Sequence, residues 1–136
     1  MALTLELAEQ FIAAAKTKAR KEGWEMSLAV VDAAGNLVAL ARMDGARWMT
    51  AGVAQSKAFT AATFRRPSMA VAELAQSRPQ LIDSITGIVG RPLLLAGGGL
   101  PLLIKGELIG GVGASGGTEE QDIECAKAGL AAIGGE

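Results

Sequence analysis

From Leu5 to Glu22 the apolar side chains Leu7, Phe11, Ile12, Ala15 and Ala19 recur at the spacing that gathers them on one helical face. Thr4 stands where an N-cap belongs and Gly23 where a helix ends, so an amphipathic helix is predicted between them. The period then shortens. Trp24 to Val31 carries β-branched and alternating apolar residues, Asp32-Ala33-Ala34-Gly35-Asn36 is a turn cluster, and Leu37 to Met43 is the return strand of a hairpin. Thr50 is the expected cap of a helix running to about Arg65, stopped before Pro67, since the residue preceding proline is pushed out of helical geometry. Ser68 is the expected cap of a short helix through Ala75, and Pro79 the expected first residue of a further single turn. Asp83 to Arg91, with Ser, Thr and two glycines, reads as loop.

The rest of the chain turns on the stretch from Arg91 to Gly117. Three apolar runs, Pro92 to Ala96, Leu100 to Ile104 and Glu107 to Ser115, are separated by Gly97-Gly98-Gly99 and by Lys105-Gly106. An X-Gly break between apolar runs signals a hairpin, because the turn needs positive φ. A three-stranded meander is therefore expected. Thr118-Glu119-Glu120-Gln121 has capping-box spacing and opens a last helix to Ile133, with Glu119, Glu120 and Asp122 in its first turn, where the macrodipole favours them. The elements add up to an α+β fold: an antiparallel sheet of about five strands in order 2-1-5-4-3, profilin-like, with flanking helices. Residues 1–136 read as a single domain.

Composition narrows the chemistry. Half of the residues are hydrophobic but only 4% are aromatic, and 18 are glycine, so the core must be small and closely packed. A net charge of −1 with interspersed signs offers no field for nucleic acid. No run approaches the roughly 20 apolar residues of a membrane span, and the N-terminus lacks the charge pattern of a secretory signal, so no membrane and a cytoplasmic location are expected. The lone Cys125 allows no internal disulfide and suits a reducing compartment; inside a helix it reads as a small core residue. Histidine and tyrosine are both absent, which removes the commonest general base, the commonest zinc ligand and the usual haem ligand. No metal and no cofactor are expected from the residues themselves.

Lys57 and Arg42 are the leading site candidates. A lysine on an Ala-rich helix face is either a desolvated amine fit for base or Schiff-base chemistry or a side chain that snorkels to solvent. Arg42 at a strand end either grips a carboxylate through two parallel bonds or pairs with its neighbour Asp44, which belongs to the same candidate site. Gly97-Gly98-Gly99 is either a nest of amides for an anion or a tight turn, and it lacks the Lys-Ser/Thr ending of a nucleotide-binding loop. Ser115 and Gly116 precede the last helix, where free amides and a dipole end attract anions unless the acidic first turn and the cap take that place. Asp32 is read as a turn initiator. Trp48 and Met49 fit a subunit contact or the core equally well.

Taken together, Asp32-Ala-Ala-Gly35-Asn36, Ala41-Arg42-Met43-Asp44-Gly45-Ala46, Ser56-Lys57-Ala58-Phe59-Thr60-Ala61, Gly97-Gly98-Gly99-Leu100-Pro101-Leu102, the run Gly106 to Gly116, and Asp122 with Ala128-Gly129-Leu130 resemble the GlcG/HbpS-like family across essentially the whole chain. That family includes haem-binding proteins and the C-terminal domain of PduO-type corrinoid adenosyltransferases. The resemblance implies homo-oligomers, from dimer to octamer, and for some members haem or corrinoid-related ligands. With no histidine, an axial ligand here would have to be Met, Cys or Thr. The expected function is binding of a small molecule, an acidic metabolite held by Arg42, Lys57 and the Gly97 to Gly99 amides. The alternatives are a metal-free isomerase or tautomerase with Lys57 as proton shuttle, and haem or tetrapyrrole binding or degradation.

Overall fold

A computed structural model describes residues 1–136. Its elements are α1 (Leu5–Glu22), β1 (Ser27–Asp32), β2 (Leu37–Arg42), α2 (Thr50–Phe64), α3 (Ser68–Ser77), α4 (Pro79–Val89), β3 (Gly99–Ile104), β4 (Glu107–Ser115) and α5 (Glu119–Ala132). α1 is bounded as predicted: the Thr4 side chain accepts from the Leu7 amide, and Gly23 takes the left-handed conformation. The Lys105-Gly106 turn has positive φ at both residues, 52° and 79°, which is the hairpin geometry that the X-Gly break demands.

The sheet has four antiparallel strands in the order β2-β1-β4-β3, with the last strand beside the first as expected. The expected fifth strand, Pro92 to Ala96, does not pair. Its backbone is held by a side chain instead, the Leu94 amide donating to Thr60 Oγ1 at 2.9 Å, while Arg91 ties the segment to the β1–β2 turn through the Gly35 and Ala34 carbonyls. Pro101 is tolerated in β3 because β3 is an edge strand. A second difference lies at Asp83 to Arg91, read as loop, most of which belongs to α4. There Ser84 and Thr86 direct their hydroxyls back to the Gln80 and Ile82 carbonyls, so the residues that suggested a loop are accommodated within the helix. Thr50 and Ser68 are first residues of their helices rather than caps: Met49 and Pro67 occupy the cap positions, and neither helix start has a side-chain cap bond.

The pleat sends alternate residues to opposite faces. Leu28, Val30, Leu102, Val112 and Ala114 join Phe11, Ala15, Cys125, Ala126 and Leu130 in the main core, so α1 and α5 cover one face. Val31 packs with Ala58 and Ala62 on the other, which α2 covers. That second layer is exceptionally close, because a Cβ on Gly111 would overlap the Ala58 carbonyl oxygen, and one on Gly113 would overlap that of Ala54. Small residues on β4 and a small-residue helix thus replace the missing aromatic bulk.

Candidate functional site

Lys57 is 3% exposed and leaves α2 toward the other helical layer. Its ammonium donates to Asp122 Oδ2 at 2.8 Å and to the Ala114 carbonyl at 3.1 Å. Asp122 Oδ1 accepts from the Gly117 amide at 2.9 Å, so one carboxylate closes the end of β4 onto α5 and ties both to α2. Burial raises the Asp122 carboxyl above the ordinary carboxylate range, and the Lys57 and Gly117 bonds oppose that rise without cancelling it. The glycine wall makes room for this pair: a Cβ on Gly98 would lie 3.0 Å from Lys57 Nζ and 2.6 Å from the Ala114 carbonyl oxygen. The Gly99 amide is already spent on Ser68 Oγ at 2.9 Å, and Gly97 lies against Ile123 and Glu119 of α5.

Ser115 lies opposite Ser27 in the sheet, and Gly116 passes so close to the Glu25 carbonyl that no side chain fits. The amides that follow are taken: Gly117 by Asp122, Thr118 by Gln121 Oε1 and Gln121 by Thr118 Oγ1, which is the predicted capping box. The structure therefore gathers Lys57, Gly98, Ala114 and Asp122 in one buried cluster, and it leaves Arg42 elsewhere.

Arg42 stands at the exposed end of β2, opposite Ser27, which is in turn opposite Ser115, two strand spacings or about 10 Å away. Its guanidinium donates to the Ala46 carbonyl at 2.9 Å rather than pairing with Asp44. With Asp44 it lines a charged basin of about 300 Å³ together with Lys16, Arg20 and Glu25. Next to this basin, with Lys16 and Ala41 lining both, lies an open groove of about 410 Å³ between α1 and the free edge of β2, walled by Leu5, Ile12, Ala13, Val38 and Leu40. Both volumes fall in the range of small-molecule sites. Lys16 and Arg20 are four residues apart on α1, so they project to the same side one turn apart.

These two cations went unread in the sequence, where α1 was judged by its apolar face alone. Asp122 stands in the first turn of α5 as expected, and its role as the partner of Lys57 is an addition. Its signal was positional: three, four and seven residues before the buried Cys125, Ala126 and Gly129, it shares their helical stripe. Asp32 is a turn initiator as expected, its Oδ1 accepting from the Ala34 and Asn36 amides. Trp48 is 84% exposed and excluded from the core.

Cys125 is a core residue whose thiol donates to the Ala15 carbonyl at 3.3 Å. Burial pushes that thiol up to about 12. Native protein at pH about 8 is therefore expected to react with Ellman's reagent at under about a hundredth of the rate of the urea-unfolded chain, since the thiolate is the reactive form. Equal rates would mean that the α1–α5 contact opens freely.

A four-stranded antiparallel sheet between two helical layers, with an amphiphilic groove along its α1 flank, defines a compact α+β class. Residues 3–131 match the family described as Haem degrading protein HbpS-like, and the chain belongs to that family. It is 39% identical over 114 residues to Protein GlcG of Escherichia coli strain K12, covering 83% of this chain and 81% of GlcG. Among solved structures, a double mutant of Streptomyces reticuli HbpS superposes with a TM-score of 0.88 at 36% identity, covering 98% of this chain and 88% of that one. The structure described as the PduOC:Heme Complex has a TM-score of 0.88 at 28% identity, covering 100% of this chain and 98% of that one. The expectation of no cofactor, drawn from the missing histidine, is corrected here: a relative of the same fold forms a haem complex, so the lack of one residue type does not remove haem from the ligands to be considered.

Proposed function

We propose that this chain is a small-molecule binding protein whose α1/β2 groove takes a flat apolar molecule bearing carboxylates, haem or a related tetrapyrrole. The observation that carries this reading is an apolar groove that adjoins, across the shared residues Lys16 and Ala41, a basin holding Lys16, Arg20 and Arg42. An apolar ring loses its water against Leu5, Ile12, Val38 and Leu40, while its carboxylates meet three cations at the groove's end. The haem complex of PduOC supports the ligand class. A small acidic metabolite, the ligand expected from sequence, would use the basin alone.

Titration with haemin, followed at the Soret band, tests the reading. Saturable one-to-one binding is expected, and Lys16→Glu/Arg20→Glu is expected to weaken it about a hundredfold, at roughly 0.7 kcal/mol for each of the two attractions lost and two repulsions gained at exposed sites. Leu5→Asp, at an exposed position in the first turn of α1 where an acid suits the dipole, separates the two ligands: it weakens haemin and leaves a dicarboxylate's binding unchanged. Haemin binding untouched by the charge reversals would place the ligand elsewhere.

A further inference from the structure

We infer that the groove holds a tetrapyrrole by its carboxylate edge and flat face and not through its central metal, so that metal-free porphyrins are ligands on equal terms with haem. This rests on the proposed function and on the electron-pair donors that the groove offers. Imidazole and phenolate are excluded by composition, since the chain has neither histidine nor tyrosine. Cys125 is buried and directed at the Ala15 carbonyl. The Met43 thioether, on the basin wall, already accepts from the Met26 amide at 3.4 Å. Glu25 accepts from the Gly45 amide at 3.2 Å and packs against that glycine. The Lys16 ammonium is a hydrogen-bond donor only.

Two uncommitted donors remain, the Glu9 carboxylate beside the apolar groove and the Asp44 carboxylate in the basin. Carboxylate oxygen is a ligand for hard ions such as magnesium, calcium and manganese, whereas imidazole and thiolate are the groups that hold porphyrin iron firmly. Asp44 also shares its basin with the cations that would attract the ring's own carboxylates. Recognition therefore falls to the features that a porphyrin keeps when it loses its metal. The α1 pair Lys16 and Arg20, with about 6 Å between Cβ atoms, offers two neighbouring cations to two neighbouring carboxylates. The apolar walls offer area for one face of the ring.

The test is a pair of titrations on the full chain, haemin by absorbance and iron-free protoporphyrin IX by fluorescence, repeated on Glu9→Gln, Asp44→Asn and Lys16→Glu/Arg20→Glu. Affinities for the two porphyrins are expected to agree within about threefold, Glu9→Gln and Asp44→Asn to bind haemin no more weakly than the parent because each removes a like charge from beside the ring's carboxylates, and the charge reversals to weaken both ligands by a common factor. Haemin binding at least about tenfold tighter than protoporphyrin, or a loss of about tenfold in either carboxylate variant, would overturn the inference while leaving the groove as the site. Failure of both porphyrins to bind would overturn the proposed function along with it.

Discussion

Asp122→Ala is expected to destabilise the chain by about 3 to 5 kcal/mol, the cost typical of leaving one member of a buried ion pair without its partner. Both members are almost fully enclosed, Lys57 at 3% and Asp122 at 4% exposure, so water cannot take the carboxylate's place. The variant leaves the Lys57 ammonium with only the Ala114 carbonyl and also strips the Gly117 amide of its acceptor. Lys57→Met is expected to cost less at low pH, because the stranded carboxyl can accept a proton. The sign follows from linkage. Asp122 already has a folded-state value above its reference of 3.8, so its contribution favours folding most below that reference and falls as pH rises through the folded value. Removing Lys57 takes away bonds that hold the value down, so the fall extends to higher pH and the variant's deficit widens on the alkaline side. Urea denaturation of both variants between about pH 4 and 8 reads this directly; a deficit in Lys57→Met that shrinks with rising pH would contradict it. The paired replacement Asp122→Leu/Lys57→Met is expected to recover much of the loss, as apolar substitutes for buried pairs commonly do.

Gly113→Ala is the second large effect, about 3 kcal/mol or more, because the added Cβ meets a carbonyl oxygen of α2 rather than a side chain that can rotate away. The backbone of Ala54 can yield only by lifting α2 from the sheet, which would also loosen the contact at Gly111 beside Ala58. Gly87→Ala is the matched control. It lies inside α4 with nothing within 4 Å of the added carbon, and it should gain about 0.5 to 1 kcal/mol from helix propensity alone. Thermal melts of the two variants should therefore move in opposite directions, and a Gly113→Ala protein that melts with the parent would show that the two layers are not in the tight register described.

The α+β class, the strand neighbours and the family were legible because each rests on local rules. Thr4 and Gly23 bound α1, and Lys105-Gly106 marks its hairpin. What was not legible depends on partners distant in sequence. Pro92 to Ala96 has a strand's composition, but Thr60 supplies its hydrogen bond, and no periodicity in the segment reveals a hydroxyl 34 residues away. Lys57 was legible as an anomaly, a charge on a small-residue helix face, yet its partner stands 65 positions later. Arg42 stands at a strand end, as its place in the sequence suggests, but donates to the Ala46 carbonyl and not to Asp44, while the groove beside them is formed by α1, whose Lys16 and Arg20 look like any solvated helix surface until β2 is laid alongside.

The position of β4 between β1 and β3 has a consequence for how the chain is made. During synthesis the β1–β2 hairpin and all of α2 leave the ribosome before the strand that joins them to β3 has been translated. Leu28 and Val30 must then wait, with one edge of their hairpin unzipped, for β4 to arrive. A nascent chain halted before Ser115 would be a sticky fragment, which makes the closing strand the step that separates productive folding from clumping.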